Sequence, residues 1–183
     1  MRQSFWQNIW KCANSASSMQ FRVCPIGEIS RQDGKVFARL YPGYAPSLSG
    51  LCAYSHLQLI WWFSGADDAK SRGQLHARCP YLGAPEELGV FATRSPHRPN
   101  PIALTCCRIL AVDTAAGFIQ LENCDAEDGS PILDIKPYAP SLDRVEHPAG
   151  PAWSAHWPKS LEESAAYDWE READPSFEEQ RKA

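Results

Sequence analysis

The chain has 183 residues, with 15 prolines, 11 glycines and a net charge of −4. That length suits one domain with terminal extensions, and so many prolines exclude a helical bundle. The charge does not exclude a polyanionic partner, because the acidic excess follows residue 160 and basic residues concentrate in the middle of the chain, namely Lys70, Arg72, Arg78, Arg94, Arg98 and Arg108.

The seven cysteines are odd in number and form no Cys-x-x-Cys pair. They predict neither a zinc site nor a disulfide framework, and indicate buried apolar residues or inert thiols in a reducing cytoplasm. Residues 1–20 contain no apolar run long enough for a signal peptide or a membrane span. We expect a cytoplasmic protein with no metal and no membrane partner. Its first residues form a flexible or amphipathic arm, unless translation begins at Met19.

The domain opens with a predicted β-hairpin. Its first strand ends near Ile29, and Gly27 inside it indicates a bulge or a close backbone approach. Asp33-Gly34 is a typical two-residue turn, after which a second strand continues to Leu40. A loop rich in Pro and Gly and a short helical turn over Ser49–Tyr54 come next.

The strongest predicted strand is His56–Phe63. From Leu59 onward it is continuously apolar, which indicates a strand covered on both faces. A polar segment, residues 64–78, and a loop rich in Pro and Gly follow it.

The sequence GVFATRSPHRPNPIAL, residues 89–104, combines a short β-run at Val90–Thr93 with a loop, Arg94–Pro101. Three prolines in the loop fix φ and bias their predecessors toward extended geometry, so the loop is stiff. A stiff loop gives up little entropy on binding, which favours a ligand site that uses its Arg, His and Asn side chains. A solvated connection is the alternative interpretation.

The residues after the stiff loop predict another hairpin, Ile102–Val112 with Phe118–Asn123. An acidic turn, Cys124–Pro131, leads to a last strand, Ile132–Lys136. A Pro-rich surface segment then precedes a helix over Ser160–Ala173, with Ser160 as its N-cap, and the last ten residues fray.

These elements predict a mainly β fold, either a small antiparallel barrel or a sandwich, with Pro-rich loops and one C-terminal helix. The chain has no strand–helix alternation and no Gly-rich phosphate loop, which excludes a Rossmann sheet. We expect an N-terminal extension over residues 1–20, a β-domain over 21–145, and a C-terminal wrap, helix and acidic tail over 146–183.

Two further motifs are DGSPILDIKPY (residues 128–138) and YSHL (54–57). Together with residues 89–104, they resemble the TsaA-like, or TrmO-like, family over about residues 21–140. The resemblance implies a β-barrel and a homodimer. It also implies a methyltransferase that uses S-adenosylmethionine to methylate threonylcarbamoyl-adenosine beside the tRNA anticodon.

The resemblance implies a set of residues that bind S-adenosylmethionine. In it, Arg94 meets the cofactor's carboxylate, Phe63 and Leu104 supply apolar walls, and the acidic turn offers carboxylates and backbone groups. The full implied set is Phe63, Ser64, Arg94, Leu104, Asp125, Ala126, Glu127, Asp128 and Gly129.

The acceptor side of the site is assigned to other residues. An amide-like adenosine nitrogen is a weak nucleophile, so a base or hydrogen-bond acceptor helps, and the candidates are Asn100, Asp134 and His56. His56 equally suits an ordinary hydrogen bond at a strand start. RNA contacts are assigned to Arg98, Arg72 and Arg78 on phosphates, and to His97 or an exposed Trp for stacking on an unpaired base. Arg98 equally suits a local salt bridge.

The chain departs from the family pattern at three places, one of which is an acidic tail in place of the C-terminal domain of some relatives. Relatives active on tRNA often carry a Pro-Arg-Gln-containing loop after the first strand, whereas here Arg31-Gln32-Asp33-Gly34 leads directly into the next strand. The aromatic–His pair that ends the long strand is Phe63-Ser64. These departures leave two alternatives, a non-catalytic S-adenosylmethionine-binding sensor module and a methyltransferase for a different small acceptor.

Overall fold

The computed structural model describes residues 21–175, and it contains a closed antiparallel barrel. The barrel strands are β1 (Gly27–Gln32), β2 (Lys35–Leu40), β3 (His56–Trp62), β6 (Ile102–Asp113), β7 (Phe118–Leu121) and β8 (Pro131–Pro137). Their order around the barrel is β1-β2-β7-β6-β3-β8. The predicted mainly β barrel is therefore confirmed. The predicted N-terminal extension and the end of the acidic tail lie outside the described residues.

The remaining elements are short. Two strands absent from the sequence prediction, β4 (His76–Arg78) and β5 (Glu87–Gly89), form a separate two-stranded sheet. The α-helices are α1 (Ala69–Arg72), α2 (Pro140–Asp143) and α3 (Leu161–Ala165). The 3-10 helices are Pro42–Leu48, Leu51–Ala53, Ser64–Ala66, Val90–Ala92, Ala152–Ser154 and Trp169–Glu172. No described helix is long and apolar enough to cross a membrane.

Strand β3 lies between β6 and β8 in the barrel. Leu57, Leu59 and Trp61 point into the barrel and are buried, while the alternate residues are half-buried on the outer face. The expectation of full burial on both faces is wrong. The outer residues can be apolar because the segment after the strand covers them in part. For example, Trp62 Nε1 donates to Asp67 of that segment at 3.0 Å.

The first hairpin forms as predicted. Asp33 has φ 50° and Gly34 has φ 72°, and positive φ at both central residues is the signature of a type I′ turn. The close approach predicted at Gly27 is also confirmed, because a Cβ there would clash with the Arg39 carbonyl oxygen. The barrel seam between β1 and β2 thus admits only glycine at this position.

Two sequence predictions are wrong in their extent. Val90–Ala92 is a 3-10 turn rather than a strand, since the amide of Thr93 bonds back to the Val90 carbonyl at 3.1 Å. The predicted C-terminal helix ends at Ala165, although Ser160 does cap it by accepting from the Glu163 amide at 3.1 Å. Beyond that helix the chain turns, and the Tyr167 and Trp169 rings pack 5.0 Å apart.

The described cysteines occupy different environments. Cys107 and Cys124 are buried, which agrees with the expectation of buried apolar residues, whereas Cys24 and Cys52 are exposed, which leaves for them only the alternative of inert thiols. A hydrogen bond to Cys124 and burial raise the pKa of the Cys107 thiol. That thiol is protonated and unreactive at neutral pH, in agreement with its predicted inertness.

Candidate functional site

A cleft of about 850 Å³ opens beside the barrel, where β3 ends and β6 begins. Four residues predicted to bind the cofactor line it, although they come from four separate segments: Phe63, Arg94, Leu104 and Asp125. The structure thus brings together the polar and apolar groups that the sequence separates by up to 62 positions along the chain.

Phe63, Arg94, Leu104 and Asp125 form one side of the cleft, which we call the barrel wall. Phe63 and Leu104 are its apolar part. The Phe63 amide donates to the Pro101 carbonyl at 2.9 Å, which places Phe63 beside the start of β6. Its ring packs against the buried Trp61 with ring centroids 4.4 Å apart. Leu104 lies on the outer face of β6, opposite Ile60 of β3, and is 47% exposed.

Asp125 is held by a relay of hydrogen bonds from the barrel. Trp61 Nε1 donates to Thr105 Oγ1 at 3.0 Å, and the Thr105 hydroxyl in turn donates to Asp125 Oδ1 at 2.6 Å. A short bond from a hydroxyl to a carboxylate is charge-assisted and directional. The carboxylate is therefore fixed at the cleft before any ligand binds.

The rest of the acidic turn is fastened to β1. The Arg31 guanidinium donates from Nε to the Ala126 carbonyl at 3.0 Å and from Nη2 to the Cys124 carbonyl. The Arg31 amide donates to Asp128 Oδ1 at 2.7 Å. Sequence reasoning missed this role, because a contact across almost 100 residues leaves no local signal in the sequence.

The other predicted residues of the acidic turn do not line the cleft. Ala126 is fully buried, Asp128 accepts the Arg31 amide, and Gly129 has φ 75° and donates its amide to Ile29 at 2.8 Å. Glu127 is exposed. Ser64 is also exposed and begins the 3-10 turn after β3.

Arg94 belongs to the loop that is predicted to be stiff, and hydrogen bonds hold that loop. Arg94 Nη1 donates to the Leu104 carbonyl at 3.3 Å, which ties the loop to β6. The Ser95 amide donates to Thr93 Oγ1 at 3.2 Å, and the His97 amide donates to Ser95 Oγ at 3.3 Å. The guanidinium faces the cleft with donors beyond Nη1, a geometry suited to a carboxylate.

The three candidates for the acceptor side are not brought together. His56 lines a second cleft with Tyr138 and bonds through Nδ1 to Ser55 Oγ at 2.9 Å. Asn100 is exposed, and its carbonyl accepts from the Ile102 amide at 2.7 Å. Asp134 pairs with Lys136 Nζ at 2.7 Å, and this contact raises the pKa of Lys136. None of the three lines the first cleft.

Asp134 nevertheless shares a surface with Leu104. In the strand register, Ile60 pairs with Leu104 on one side and with Asp134 on the other. The three side chains therefore point to the same outer face of the barrel. Two strand spacings separate Asp134 from Leu104, or about 10 Å.

The four residues assigned to RNA divide into two pairs. Arg78 and Arg98 line the cleft. Arg72 and His97 instead fasten the loop to α1, where Arg72 bonds to Asp67 at 2.5 Å and to the Pro99 carbonyl at 3.2 Å. His97 Nδ1 lies 2.9 Å from Ser71 Oγ. The hydrogen bond from Arg72 is the largest cause that lowers the pKa of Asp67, and the hydrogen bond from Trp62 is the second. The Asp67 carboxylate therefore stays ionised.

A second wall of the cleft consists of aromatic residues that the sequence analysis did not assign. Tyr81, Trp153 and Trp157 line the cleft. The Tyr81 and Trp153 rings are nearly parallel, 17° apart, and the Trp153 and Trp157 centroids lie 5.1 Å apart. The abundance of tryptophan was the available signal, but the sequence did not indicate which rings meet. We call these three residues the aromatic wall.

Glu172 anchors the aromatic wall from behind. Its carboxylate accepts hydrogen bonds from Tyr167 Oη at 2.7 Å, Trp157 Nε1 at 3.0 Å and His156 Nε2 at 2.9 Å. These bonds, with that of Tyr167 the largest cause, lower the pKa of Glu172. The backbone is tied as well, because the Leu82 amide donates to the Glu172 carbonyl at 2.9 Å and the Asp174 amide to the Pro80 carbonyl at 2.8 Å.

Known proteins share this chain's barrel sequence. The family model described as the tRNA-methyltransferase O N-terminal domain matches residues 16–144. A protein of Eikenella corrodens named tRNA (adenine(37)-N6)-methyltransferase is 38% identical over 111 residues, which cover 60% of this chain and 61% of that protein. An S-adenosyl-L-methionine-binding protein of Archaeoglobus fulgidus is 39% identical over 111 residues, covering 61% and 74%.

The fold is also similar to solved structures. A crystal structure of TrmO from Pseudomonas aeruginosa has a TM-score of 0.59 and 29% sequence identity, covering 77% of this chain and 65% of that one. The chain spans 41% of one curated relative from Pseudomonas aeruginosa. Because the family model covers well over half of the sequence, this chain belongs to the family of the tRNA-methyltransferase O N-terminal domain.

Proposed function

We propose that the protein is an S-adenosylmethionine-dependent methyltransferase that acts on an adenosine-type nitrogen of tRNA. The specific acceptor we propose is N6 of threonylcarbamoyl-adenosine beside the anticodon. The observation that carries the proposal is the cleft, which assembles Phe63, Arg94, Leu104 and Asp125 at one place. The names of the Eikenella and Archaeoglobus relatives support it.

The chemistry of the cleft suits the proposed cofactor. Arg94 is placed to pair with the carboxylate of the cofactor's amino-acid end, and Asp125 to accept hydrogen bonds from hydroxyl or amino groups. Phe63 and Leu104 offer apolar contact to its uncharged parts. The cofactor, when bound, supplies an electrophilic methyl group. The protein's own contribution is to align that group with the acceptor and to keep water out.

On the acceptor side we retain Asn100, Asp134 and His56 as the proposed candidates, and Asp134 is the best supported. It lies on the same barrel face as Leu104, with Ile60 between them. Its carboxylate can accept a hydrogen bond from the acceptor nitrogen and orient the lone pair of that nitrogen. Arg78 and Arg98, in the same cleft as Arg94, are the proposed phosphate contacts.

We also propose a homodimer, which the outer face of β6 supports. Ile102, Leu104 and Leu110 are each more than 40% exposed there, and Phe91 beside the cleft is 82% exposed. Exposed apolar side chains at these positions favour an interaction surface. Light scattering coupled to size-exclusion chromatography tests the dimer directly, and Leu110→Glu is expected to yield monomers.

Isothermal titration with S-adenosylmethionine tests the cofactor assignment. We expect Arg94→Ala to weaken binding by about tenfold or more, since a charge-assisted bond contributes roughly 1.5–3 kcal/mol. Arg108→Ala is the matched control, because Arg108 pairs with Glu122 at 3.2 Å outside the cleft. Equal affinities for the two variants would remove Arg94 from the site.

Transfer of labelled methyl groups to tRNA, with mass spectrometry of the nucleosides, tests the reaction. The sensor module is the second candidate, and it is favoured by one observation. The β1–β2 connection is the tight Asp33-Gly34 turn, without the longer loop of tRNA-active relatives. Tight cofactor binding without any methyl transfer would favour the sensor or a different small acceptor.

A further inference from the structure

We propose that the aromatic wall (Tyr81, Trp153 and Trp157) is the stacking surface for an unpaired nucleobase of the RNA acceptor. The inference rests on the proposed function, which supplies the RNA substrate, and it assigns a binding site to the C-terminal segment. The cleft then has a cofactor side, built by the barrel, and a base side, built by residues 153–172 and the loop that carries Tyr81.

The two sides of the cleft differ in chemistry. The barrel side carries a carboxylate, a guanidinium and two apolar side chains. The aromatic wall presents rings to the cleft, and the hydrogen-bonding atom of Trp157 is already used, because its Nε1 donates to Glu172. The face of an aromatic ring recognises flat, uncharged surfaces, and every nucleobase has such a surface.

The wall is organised before a ligand binds. The Tyr81 ring lies between 4.7 and 6.5 Å, centroid to centroid, from three Trp rings. The tie from Leu82 to Glu172 fixes the backbone beneath it. Gly83 with φ 72° turns the loop so that Trp153 packs on it, 3.8 Å from the position of a Cβ. A base that stacks here orders no side chain that is not already ordered, so little entropy is lost.

Charge favours RNA over an apolar occupant. Arg78, Arg94 and Arg98 line the same cleft as the aromatic wall. Arginine interleaved with aromatic rings is the combination that grooves for single-stranded nucleic acid use, because phosphates meet the cations while bases meet the rings. A lipid chain or an apolar peptide would offer no anion to Arg94 or Arg98.

The cofactor side and the base side line one cleft of about 850 Å³. A nucleobase on the aromatic wall and a cofactor on the barrel wall would therefore share one space. That sharing is the arrangement a methyl transfer between them requires.

Binding of an anticodon stem-loop RNA, measured by fluorescence anisotropy with saturating S-adenosylmethionine, tests the assignment. We expect Trp153→Ala to weaken RNA binding by about tenfold, within the range for loss of one base–aromatic stack. We expect Trp153→Phe to retain most of the affinity, because a ring remains. Trp169→Phe is the matched control, since Trp169 belongs to the same cluster but does not line the cleft.

Titration with S-adenosylmethionine alone separates the possible failures. An unchanged cofactor affinity in Trp153→Ala shows that the variant is folded and that the barrel wall is intact. Wild-type RNA affinity in Trp153→Ala would overturn the base site while leaving the proposed function in place. A parallel loss of cofactor affinity would assign the wall to the cofactor instead. Absence of RNA binding by the unmodified protein would overturn both the base site and the tRNA acceptor.

Discussion

The two walls of the cleft are built in different ways. The barrel wall is an extension of strands whose inner residues, such as Leu59 and Ile119, are fully buried. The segment that carries Trp153 and Trp157 of the aromatic wall contains no strand of the barrel, and its helices are no longer than five residues. It is held by ring contacts, by one carboxylate and by a few backbone hydrogen bonds between residues 80–82 and 172–174.

This difference predicts which of the two walls opens first. Strand ladders around a buried core unfold only when the whole barrel unfolds, whereas a segment with few buried apolar residues opens locally at lower free energy. The barrel is therefore expected to stay folded when the segment that carries the aromatic wall opens.

Leu59→Ala is expected to destabilise both walls together. Leu59 is fully buried in the barrel, and removal of such a side chain costs about 2–5 kcal/mol in free energy of unfolding. Urea denaturation followed by circular dichroism measures this loss. Leu142→Ala is the control, because Leu142 is 86% exposed and its loss is expected to change the free energy of unfolding by less than about 0.5 kcal/mol. A Leu59→Ala protein as stable as wild type would contradict the barrel core described above.

Trp157→Ala is expected to open the aromatic wall alone. Trp157 is half-buried at the centre of the ring cluster, so its loss should cost about 2 kcal/mol, roughly half the cost for a fully buried tryptophan. Hydrogen exchange measures the effect at the amides of Leu82 and Asp174, which tie the wall together. Their exchange should accelerate by about thirtyfold, while barrel amides keep the wild-type rate. Uniform acceleration across the barrel would show that the walls form one cooperative unit.

Arg31→Ala is expected to weaken the barrel wall without unfolding it. The guanidinium bonds to two carbonyls of the acidic turn, and its removal frees the segment that positions Asp125. We expect about tenfold weaker binding of S-adenosylmethionine, equivalent to roughly 1.4 kcal/mol. Arg39→Ala is the matched control on the neighbouring strand, since Arg39 bonds only weakly to Gln32 at 3.3 Å and does not line the cleft. Equal cofactor affinity in both variants would show that the acidic turn does not need this brace.

The sequence predicts the barrel wall far better than the aromatic wall. The continuous apolar run from Leu59, the Asp33-Gly34 turn and the alternation along Ile102–Val112 are local patterns, and local patterns determine strands and turns. Spacing along the chain does not show that the motif around Arg94 and the acidic turn at Asp125 belong to one site. Only the resemblance to a family implies that they do.

The aromatic wall lacks such a pattern. Tyr81, Trp153 and Trp157 are separated by 72 and 4 positions, and short irregular turns place them, so no periodicity brings them together. The helix expected over Ser160–Ala173 also ends early, because the chain turns after Ala165 and Tyr167 reaches Glu172. Tertiary packing of aromatic rings overrides helix propensity here.

Glu172→Gln is expected to remove a small pH dependence of the aromatic wall. Hydrogen bonds from Tyr167, Trp157 and His156 hold the pKa of Glu172 below its usual value near 4.5. A group whose folded-state pKa is lowered contributes stability above its unfolded pKa, and that contribution is lost as pH falls through the folded value. The wild-type wall should therefore loosen below about pH 4.5, whereas the Gln variant should be looser at pH 7 and insensitive to this acidification.

The Leu82 amide resonance in ¹H–¹⁵N spectra reports this change, because Leu82 donates to the Glu172 backbone. The Ile29 amide, which donates to the Ser130 carbonyl at 2.9 Å in the barrel, is the internal control. Loss of the Leu82 signal as the pH falls below about 4.5 should precede any change at Ile29. If both signals change together in wild type and in the Gln variant, the carboxylate does not hold the wall, and the ring contacts alone must account for its position.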